Sequence, residues 1–274
     1  MQVGIIGGTG KMGTLFARVF TEAGHTVEIS GRTTSRTAED LAKKSDILII
    51  SVPIHETVRI IDQISPLMDE KQILCDLTSI KAAPVQAMMT SDAEVLGLHP
   101  MFGPTAGTLQ GQTIVATPAR CSEKTLHLFR SIFESQGARV TITTPEHHDR
   151  MMAIVQGLTH FKALVMADTI RRLGITPEEA EPFMSPVYRI ETSIAGRLLA
   201  QDPMLYADIL CTNPSVPSVL HTCCNAAESL ALMISSGDIQ GFVEQFMTDR
   251  AWFGEYCTRS LNETDQLIAS MVRS

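Results

Sequence analysis

The sequence lacks any apolar run near the roughly 20 residues that a bilayer-crossing helix needs, so a membrane protein is not expected. It also lacks a basic cluster or an aromatic-studded cationic stretch. Lys plus Arg number 22 against 30 Asp plus Glu, a net charge of −8, and nucleic acid is not an expected partner. The amino-terminal MQVGIIGGTGKMG has no cationic start, long apolar core or small-residue cleavage site, which makes a cytoplasmic location the expectation. The six cysteines (Cys75, Cys121, Cys211, Cys223, Cys224, Cys257) are scattered, and apart from the adjacent pair none has the spacing of a zinc knuckle or a redox pair. They read as reduced, mostly packed thiols, and no metal is assigned. Internal repeats, low-complexity tracts and flexible linkers are missing too. What remains is 274 residues, 44% hydrophobic and 19% charged, enough for one large domain or two modest ones.

The pattern changes character near the middle. Up to about residue 145, short β-rich runs alternate with helix-period segments: 2–6, 26–30, 46–50, 72–75, 95–98, 113–116 and 139–142. Their near-continuous apolar character suits strands buried on both faces, and the intervening segments are long enough for crossover helices. This predicts an α/β fold with a doubly wound, mostly parallel sheet over 1–145. From His147 onward the strand signal disappears, and 146–274 reads as an all-helical second domain of helices of roughly 15 to 25 residues, punctuated by Pro177, Pro182, Pro186, Pro203, Pro214 and Pro217. The boundary falls at Thr144 and Pro145, where a long helix begins.

The chemistry starts with Gly8-Thr9-Gly10-Lys11-Met12-Gly13, directly after the first strand and opening a helix. In the expected roles Gly8 permits the tight turn, Gly10 lets the backbone approach a pyrophosphate and Gly13 lets helix and strand pack closely. The fold is therefore expected to be of the Rossmann type, with a structural turn as the bland reading. A P-loop is excluded, because Met12 follows Lys11 and no glycine stands five residues before Gly10. The second strand ends Ser30-Gly31-Arg32-Thr33. Small residues followed by Arg32 suit a 2′-phosphate, so NADP is favoured; otherwise Arg32 stacks on the adenine or lies in solvent. Glu28 comes early for a ribose contact, which leaves NAD open. Reacting ligand atoms lie beyond the carboxyl ends of such strands. Those ends carry Val52 and Pro53, expected at the cofactor, then Asp76-Leu77-Thr78-Ser79-Ile80-Lys81, and then His99. His99 is the histidine placed on such an end, and it is the candidate acid–base group.

LGLHPMFGPTAG (96–107), EHHDRMMAIVQGLTHF (146–161) and SPVYRIETSIAGRLLAQDPMLYADI (185–209), with the glycine loop upstream, resemble the prephenate dehydrogenase domain of tyrosine-biosynthesis enzymes over essentially the whole chain. The resemblance implies oxidative decarboxylation of prephenate to 4-hydroxyphenylpyruvate and carbon dioxide, in a monofunctional form without a fused chorismate mutase or regulatory domain. By residue matching it implies His99 as the catalytic histidine and Ser79 as a serine bonded to the substrate hydroxyl and the imidazole. Lys81 matches an active-site lysine. Either Ser79 or Lys81 could instead belong to the capping turn of the helix that follows the fourth strand. Arg197 matches the arginine that grips a prephenate carboxylate; Arg189, two helical turns earlier, either shares that wall or pairs with Glu191 or Asp208. His160 and Gln156, four residues apart, share a substrate-side face in this resemblance, with an interdomain packing histidine as the alternative. His147-His148-Asp149 reads as a helix start with polar caps, and Tyr206 as a packed aromatic. A homodimer through the apolar helical lobe is implied as well. An arogenate or aminodeoxyprephenate dehydrogenase, a deazaflavin-dependent NADP reductase and a non-catalytic dinucleotide sensor stay open.

Overall fold

The computed structural model describes residues 1–272. Among these, seven strands form one sheet: β1 Gln2–Ile6, β2 Thr26–Ser30, β3 Ile47–Ile50, β4 Ile73–Asp76, β5 Glu94–Pro100, β6 Thr113–Arg120 and β7 Arg139–Ile142. Their order is β2-β1-β3-β4-β5-β6-β7, parallel throughout except for β5 against β6. The exception has a local cause. Residues 101–112 hold only a single 3-10 turn, so the chain reverses there without a crossover helix. The expected strands are all present, and β5 and β6 run longer than their apolar runs suggest.

Helices α1 Lys11–Glu22, α2 Ala38–Lys44, α3 Ile54–Ile64, α4 Ala82–Met88 and α5 Glu123–Ser135 fill the connections between strands. After the sheet come α6 Pro145–Met152, α7 Thr159–Arg172, α8 Pro177–Ala180, α9 Pro186–Leu199, α10 Pro203–Thr212, α11 Val216–Ser236, α12 Ile239–Phe253 and α13 Tyr256–Val272. Several of these are shorter than the 15 to 25 residues expected. Pro145, Pro177, Pro186 and Pro203 each begin a helix, where a missing N–H costs nothing, so each proline divides the helical pattern into a new element. A π-helical stretch, Ala153–Leu158, continues α6 into α7.

The chain forms two compact units. One comprises Met1–Ala153 with Met204–Ser215, and the other Ile154–Pro203 with Val216–Ser274. Thr144 caps α6 by accepting from the His147 N–H, at the position where the sequence pattern places the start of the second part. No helix among the described residues is long and apolar enough to cross a membrane. None of the six cysteines is in a disulfide; Cys75 is buried, Cys121, Cys223 and Cys257 are half-buried, with Cys121 packed against the core, and Cys211 and Cys224 are exposed.

Strand periodicity decides what reaches the site. In β3, Ile47 and Ile49 join the apolar cluster of Phe16, Phe20, Phe129 and Phe133, while Leu48 and Ile50 join the opposite one with Ile61, Val85 and Met88. In β5, Leu96 and Leu98 belong to the first cluster, which leaves Gly97 and His99 on the face of α4. A Cβ at Gly97 would lie 2.4 Å from Thr117 Oγ1, 2.8 Å from Val85 Cγ2 and 3.1 Å from Lys81 Cδ. The absent side chain is the slot through which Lys81 runs. Gly97→Ala is therefore expected to destabilise the fold by about 1–3 kcal/mol through overpacking, read as a lower urea midpoint with an unchanged m-value. An unchanged midpoint would show that the slot is not needed.

Candidate active site

The steric demands on the glycine loop are divided differently from the expectation. The left-handed residue is Gly7, at φ +80°, and a Cβ there would fall 2.2 Å from the Ser51 carbonyl oxygen. Gly7 therefore makes the tight turn assigned above to Gly8. Gly8 serves packing, since its Cβ would lie 2.5 Å from the Ile29 side chain. Gly13 lays α1 onto the loop itself, where a Cβ would fall 2.5 Å from the Gly7 oxygen. Ser30 is buried and acts through its carbonyl, which accepts from the N–H groups of Gly7 at 2.8 Å and Gly8 at 3.0 Å. Thr9 covers Gly31, and Val52 stands beside Gly7.

Gly10 is the N-cap of α1, and no side chain caps that helix, nor does its first turn contain an acid. The Gly10 N–H is held by the Gly7 carbonyl at 2.9 Å, so exposed Lys11 and half-buried Met12, packed on the core, present the backbone N–H groups of a positive helix end, the donor set that a pyrophosphate requires. The residues fit a dinucleotide. Beyond β2, Arg32 and Thr33 are exposed, and Arg36 Nε lies 3.4 Å from Glu28 Oε2. Pro53 is the N-cap of α3, its carbonyl accepting from Glu56 N–H at 3.0 Å and Thr57 Oγ1 at 3.1 Å.

His99 lies inside β5, paired with Val115 of β6, one residue before the strand ends, and it is 2% exposed. Its Nδ1 is 2.8 Å from His148 Nε2, the two rings edge to face. His148 Nδ1 is in turn 2.8 Å from Asp149 Oδ1. Asp149 accepts the N–H of Lys81 at 2.8 Å and of Ala82 at 2.9 Å, and its own carbonyl accepts from Asn213 Nδ2 at 2.8 Å. Burial pushes the His99 pKa well below its ordinary 6.5, and the neighbouring His148 and Lys81 push the same way. Burial lowers that of His148 as well, against the opposing pull of Asp149. Both imidazoles are therefore neutral at neutral pH.

His148 and Asp149 are thus not the polar caps of their own helix. They are buried, only His147 of the trio is exposed, and the Asp149 carboxylate caps the neighbouring α4. That correction removes the capping reading of Ser79, because α4 begins three residues later and its end is held from outside; Ser79 is half-buried. Lys81 occupies the N-cap position, but its side chain does no capping. It is wholly buried, and its ammonium donates to Asp76, to Thr78 Oγ1 at 3.3 Å and to the Leu98 carbonyl at 2.9 Å. Desolvation lowers its pKa, with Asp76 resisting. The sequence signal for His148 and Asp149 was their adjacency at a helix start following the last strand. Nothing in the local pattern reveals that they turn inward.

In the second unit, α9 carries Arg189 and Arg197, both exposed, with Arg197 in the last turn. The two acids considered as partners of Arg189 are engaged elsewhere: Glu191 with Lys162 at 3.4 Å, and Asp208 with His55 at 2.7 Å. His160 on α7 is half-buried, and burial lowers its pKa. Gln156 lies in the π-helical stretch, so its four-residue separation from His160 crosses a change of helical pitch and the simple α-helical face assumed above does not apply. Tyr206 is half-buried. No group of three or more His, Cys, Asp or Glu side chains able to hold a metal ion occurs among the described residues.

Comparison with known proteins bears on this geometry. Residues 21–142 match the family model of the prephenate dehydrogenase nucleotide-binding domain, and residues 144–248 that of the prephenate dehydrogenase dimerization domain. The chain is similar to the T-protein of Enterobacter agglomerans, 36% identical over 97% of this chain and 71% of that protein. It is also similar to a probable arogenate/prephenate dehydrogenase of Methanocaldococcus jannaschii, 33% identical over 99% of this chain and 65% of that protein. It thus spans about two thirds of the length of these relatives. Its fold is that of the crystal structure of prephenate dehydrogenase from A. aeolicus in complex with hydroxyphenyl propionate and NAD+, with a TM-score of 0.72 over 92% of this chain and 96% of that one at 22% identity. With an uncapped glycine cradle on its sheet, a neutral histidine at the end of β5 and both family domains matched in order, the chain belongs to the prephenate dehydrogenase family of NAD(P)-dependent oxidoreductases.

Proposed function

We propose that the protein catalyses the oxidative decarboxylation of prephenate to 4-hydroxyphenylpyruvate and carbon dioxide in tyrosine biosynthesis, in the cytoplasm and as a homodimer. The observation that carries this reading is His99, a desolvated and neutral imidazole at the carboxyl edge of the sheet that bears the dinucleotide cradle. The bound nicotinamide supplies the hydride acceptor. His99 accepts a hydrogen bond from the substrate hydroxyl through Nε2, the nitrogen opposite the one facing His148, and draws off the proton as the C–O bond becomes C=O. Ser79, with no helix to cap, orients that hydroxyl. Lys81 works at one remove: it holds the Leu98 carbonyl and so fixes the strand beside His99. Loss of the ring carboxylate aromatises the ring, so the downhill part of the reaction belongs to the substrate and the protein orients and handles the proton. Arg197 and Arg189 supply the cations that a dicarboxylate needs from a chain of net charge −8, with His160 and Gln156 as further substrate contacts. Arogenate undergoes the same ring chemistry, and the M. jannaschii relative is named for both substrates.

The cofactor cradle is Gly8, Thr9, Gly10, Lys11, Met12 and Gly13, with Ser30, Val52 and Pro53 at the adjoining strand ends. Exposed Arg32, with Thr33 beside it, and an acid already held by Arg36 support NADP over NAD. The homodimer reading rests on the second unit. Helix α11 is 21 residues long and apolar, yet only Val216 of it is buried. On α12, Phe246 is 59% and Trp252 89% exposed. A cavity of about 720 Å³ lined by Ile154, Leu158, Val219, Ala226, Leu230 and Met233 opens among these helices. A soluble chain covers such surface, and a second copy of the matched dimerization domain is the occupant that suits it.

Assayed with prephenate or arogenate, each with NAD or NADP, the protein is expected to reduce nicotinamide with prephenate. His99→Asn is expected to lower kcat by roughly 10²–10⁴-fold. Because the base acts in its neutral form and its pKa is held well below 6.5, activity stays level from neutral pH through 6.5 and falls only in more acid solution. Full turnover after His99→Asn removes this mechanism; no turnover with any pair removes the enzyme. Arg32→Ala is expected to weaken NADP binding more than NAD binding, by about 1.5–3 kcal/mol, and equal losses would show that Arg32 does not read the phosphate. In sedimentation equilibrium the mass should be about twice the 29.9 kDa of the chain, with a monomer contradicting the dimer.

A further inference from the structure

We propose that His148 and Asp149 form a positioning dyad that sets which ring nitrogen of His99 carries its proton, leaving Nε2 as the base. This rests on the reading of His99 as the proton acceptor and adds how that acceptor is held in the right form. Neither residue is assigned to reacting atoms; both act through His99.

The chain of reasoning starts at the carboxylate, which can only accept. Asp149 Oδ1 takes the Lys81 N–H, and Oδ2 takes the Ala82 N–H. These two bonds to the first turn of α4, with the bond from Asn213 to the Asp149 carbonyl, prevent the carboxylate from swinging away. The nitrogen facing it, His148 Nδ1 at 2.8 Å, must therefore be the one that bears hydrogen and donates. A neutral imidazole protonated on Nδ1 has its acceptor lone pair on Nε2. That Nε2 lies 2.8 Å from His99 Nδ1, so His99 Nδ1 donates in turn and the His99 lone pair resides on Nε2. The opposite tautomer of His99 would need a lone pair on His148 Nδ1 facing the carboxylate, two acceptors at 2.8 Å in a site closed to water.

A charged His148 would reverse the order, because its Nε2–H would then donate to His99 Nδ1 and put the proton of neutral His99 on Nε2. The groups around it decide which form prevails. Asp149 on α6 favours the charge, as does Asp76 on β4; Lys81 on α4 opposes it, and burial opposes it most. The neutral form holds at neutral pH, and acidification undoes the arrangement through His148 as well as by direct protonation of His99.

The test reads the tautomer directly in the full chain. With imidazole-¹⁵N histidine, long-range proton–nitrogen correlation at neutral pH should show His99, assigned by its loss in His99→Asn, protonated on Nδ1 and bare on Nε2. His99 protonated on Nε2 in the wild-type protein overturns the proposal, and this outcome needs no variant to fold. In kinetics, His148→Leu should lower kcat by roughly 10²-fold with KM nearly unchanged. His148→Gln, whose side-chain oxygen offers His99 an acceptor again, should recover part of that loss. Unchanged kcat in folded His148→Leu overturns the dyad as well. If the spectrum shows the expected tautomer while His99→Asn keeps full turnover, the dyad stands and the role given to His99 fails; the reverse tautomer with an inactive His99→Asn fails the dyad alone.

Discussion

The Asp149 carboxylate is the constraint on which the rest of the site depends. It reaches from α6 to the first turn of α4, so one side chain fixes where α4 begins, where Lys81 enters the interior and how His148 meets His99. A cap of this kind contributes about 1 kcal/mol to a helix. Its larger effect is geometric. Lys81, threaded past Gly97, carries its ammonium to Asp76 and the Leu98 carbonyl, so β4, β5 and α4 are tied together one residue from the imidazole.

Such a cluster is an expensive way to fill a core. Asp76, Lys81, His99, His148 and Asp149 are each under 3% exposed, and Asp76 Oδ1 is buried with no partner. Well-packed apolar residues in their place would stabilise the fold as much or more, whereas removing one member of the Lys81 and Asp76 pair would cost about 3–5 kcal/mol by stranding the other. The two buried imidazoles add a dependence on pH. Their folded pKa values lie below the ordinary 6.5, so under that pH the unfolded chain takes up protons that the folded chain refuses. Stability is then full above 6.5 and declines on acidification, at up to about 1.4 kcal/mol per pH unit for each histidine. A polar knot with these costs, lodged at the carboxyl edge of a parallel sheet, makes physical sense as chemistry and not as scaffolding.

The sheet was legible because β3 and β4 are buried on both faces, which leaves near-continuous Ile-Leu runs that no helix of that length would show. His99 was legible for a related reason: it ends such a run. The glycine loop was legible as a motif and misread in detail, since the residue that needs a positive φ, Gly7, stands one place before the pattern, and steric demand on Gly8 comes from Ile29, over 20 residues away. His148 and Asp149 were read as a helix start because their local context is one; their partners lie 49 and 68 residues distant in sequence, and no periodicity spans that interval. Lys81 shows the same limit. A lysine after a strand suggests a group reaching outward to a ligand, and only the empty space at Gly97 turns it inward. The helical half was legible as helices, but the lengths of the earlier ones followed Pro145, Pro177, Pro186 and Pro203, each of which starts an element.

The two units divide the chemical requirements along physical lines. A neutral base needs desolvation, since water would stabilise its charged form, and a fixed tautomer needs rigid neighbours; both are found around His99 inside the first unit. Recognition of a dicarboxylate needs the opposite conditions. Arg189 and Arg197, proposed to hold that dicarboxylate, stand exposed on α9, where a guanidinium escapes the cost of burial without a counter-ion, and Glu191 and Asp208 are paired with Lys162 and His55. Cationic reach kept in solvent and proton chemistry kept dry is what a chain of net charge −8 requires if it is to hold a dianion while leaving one imidazole uncharged.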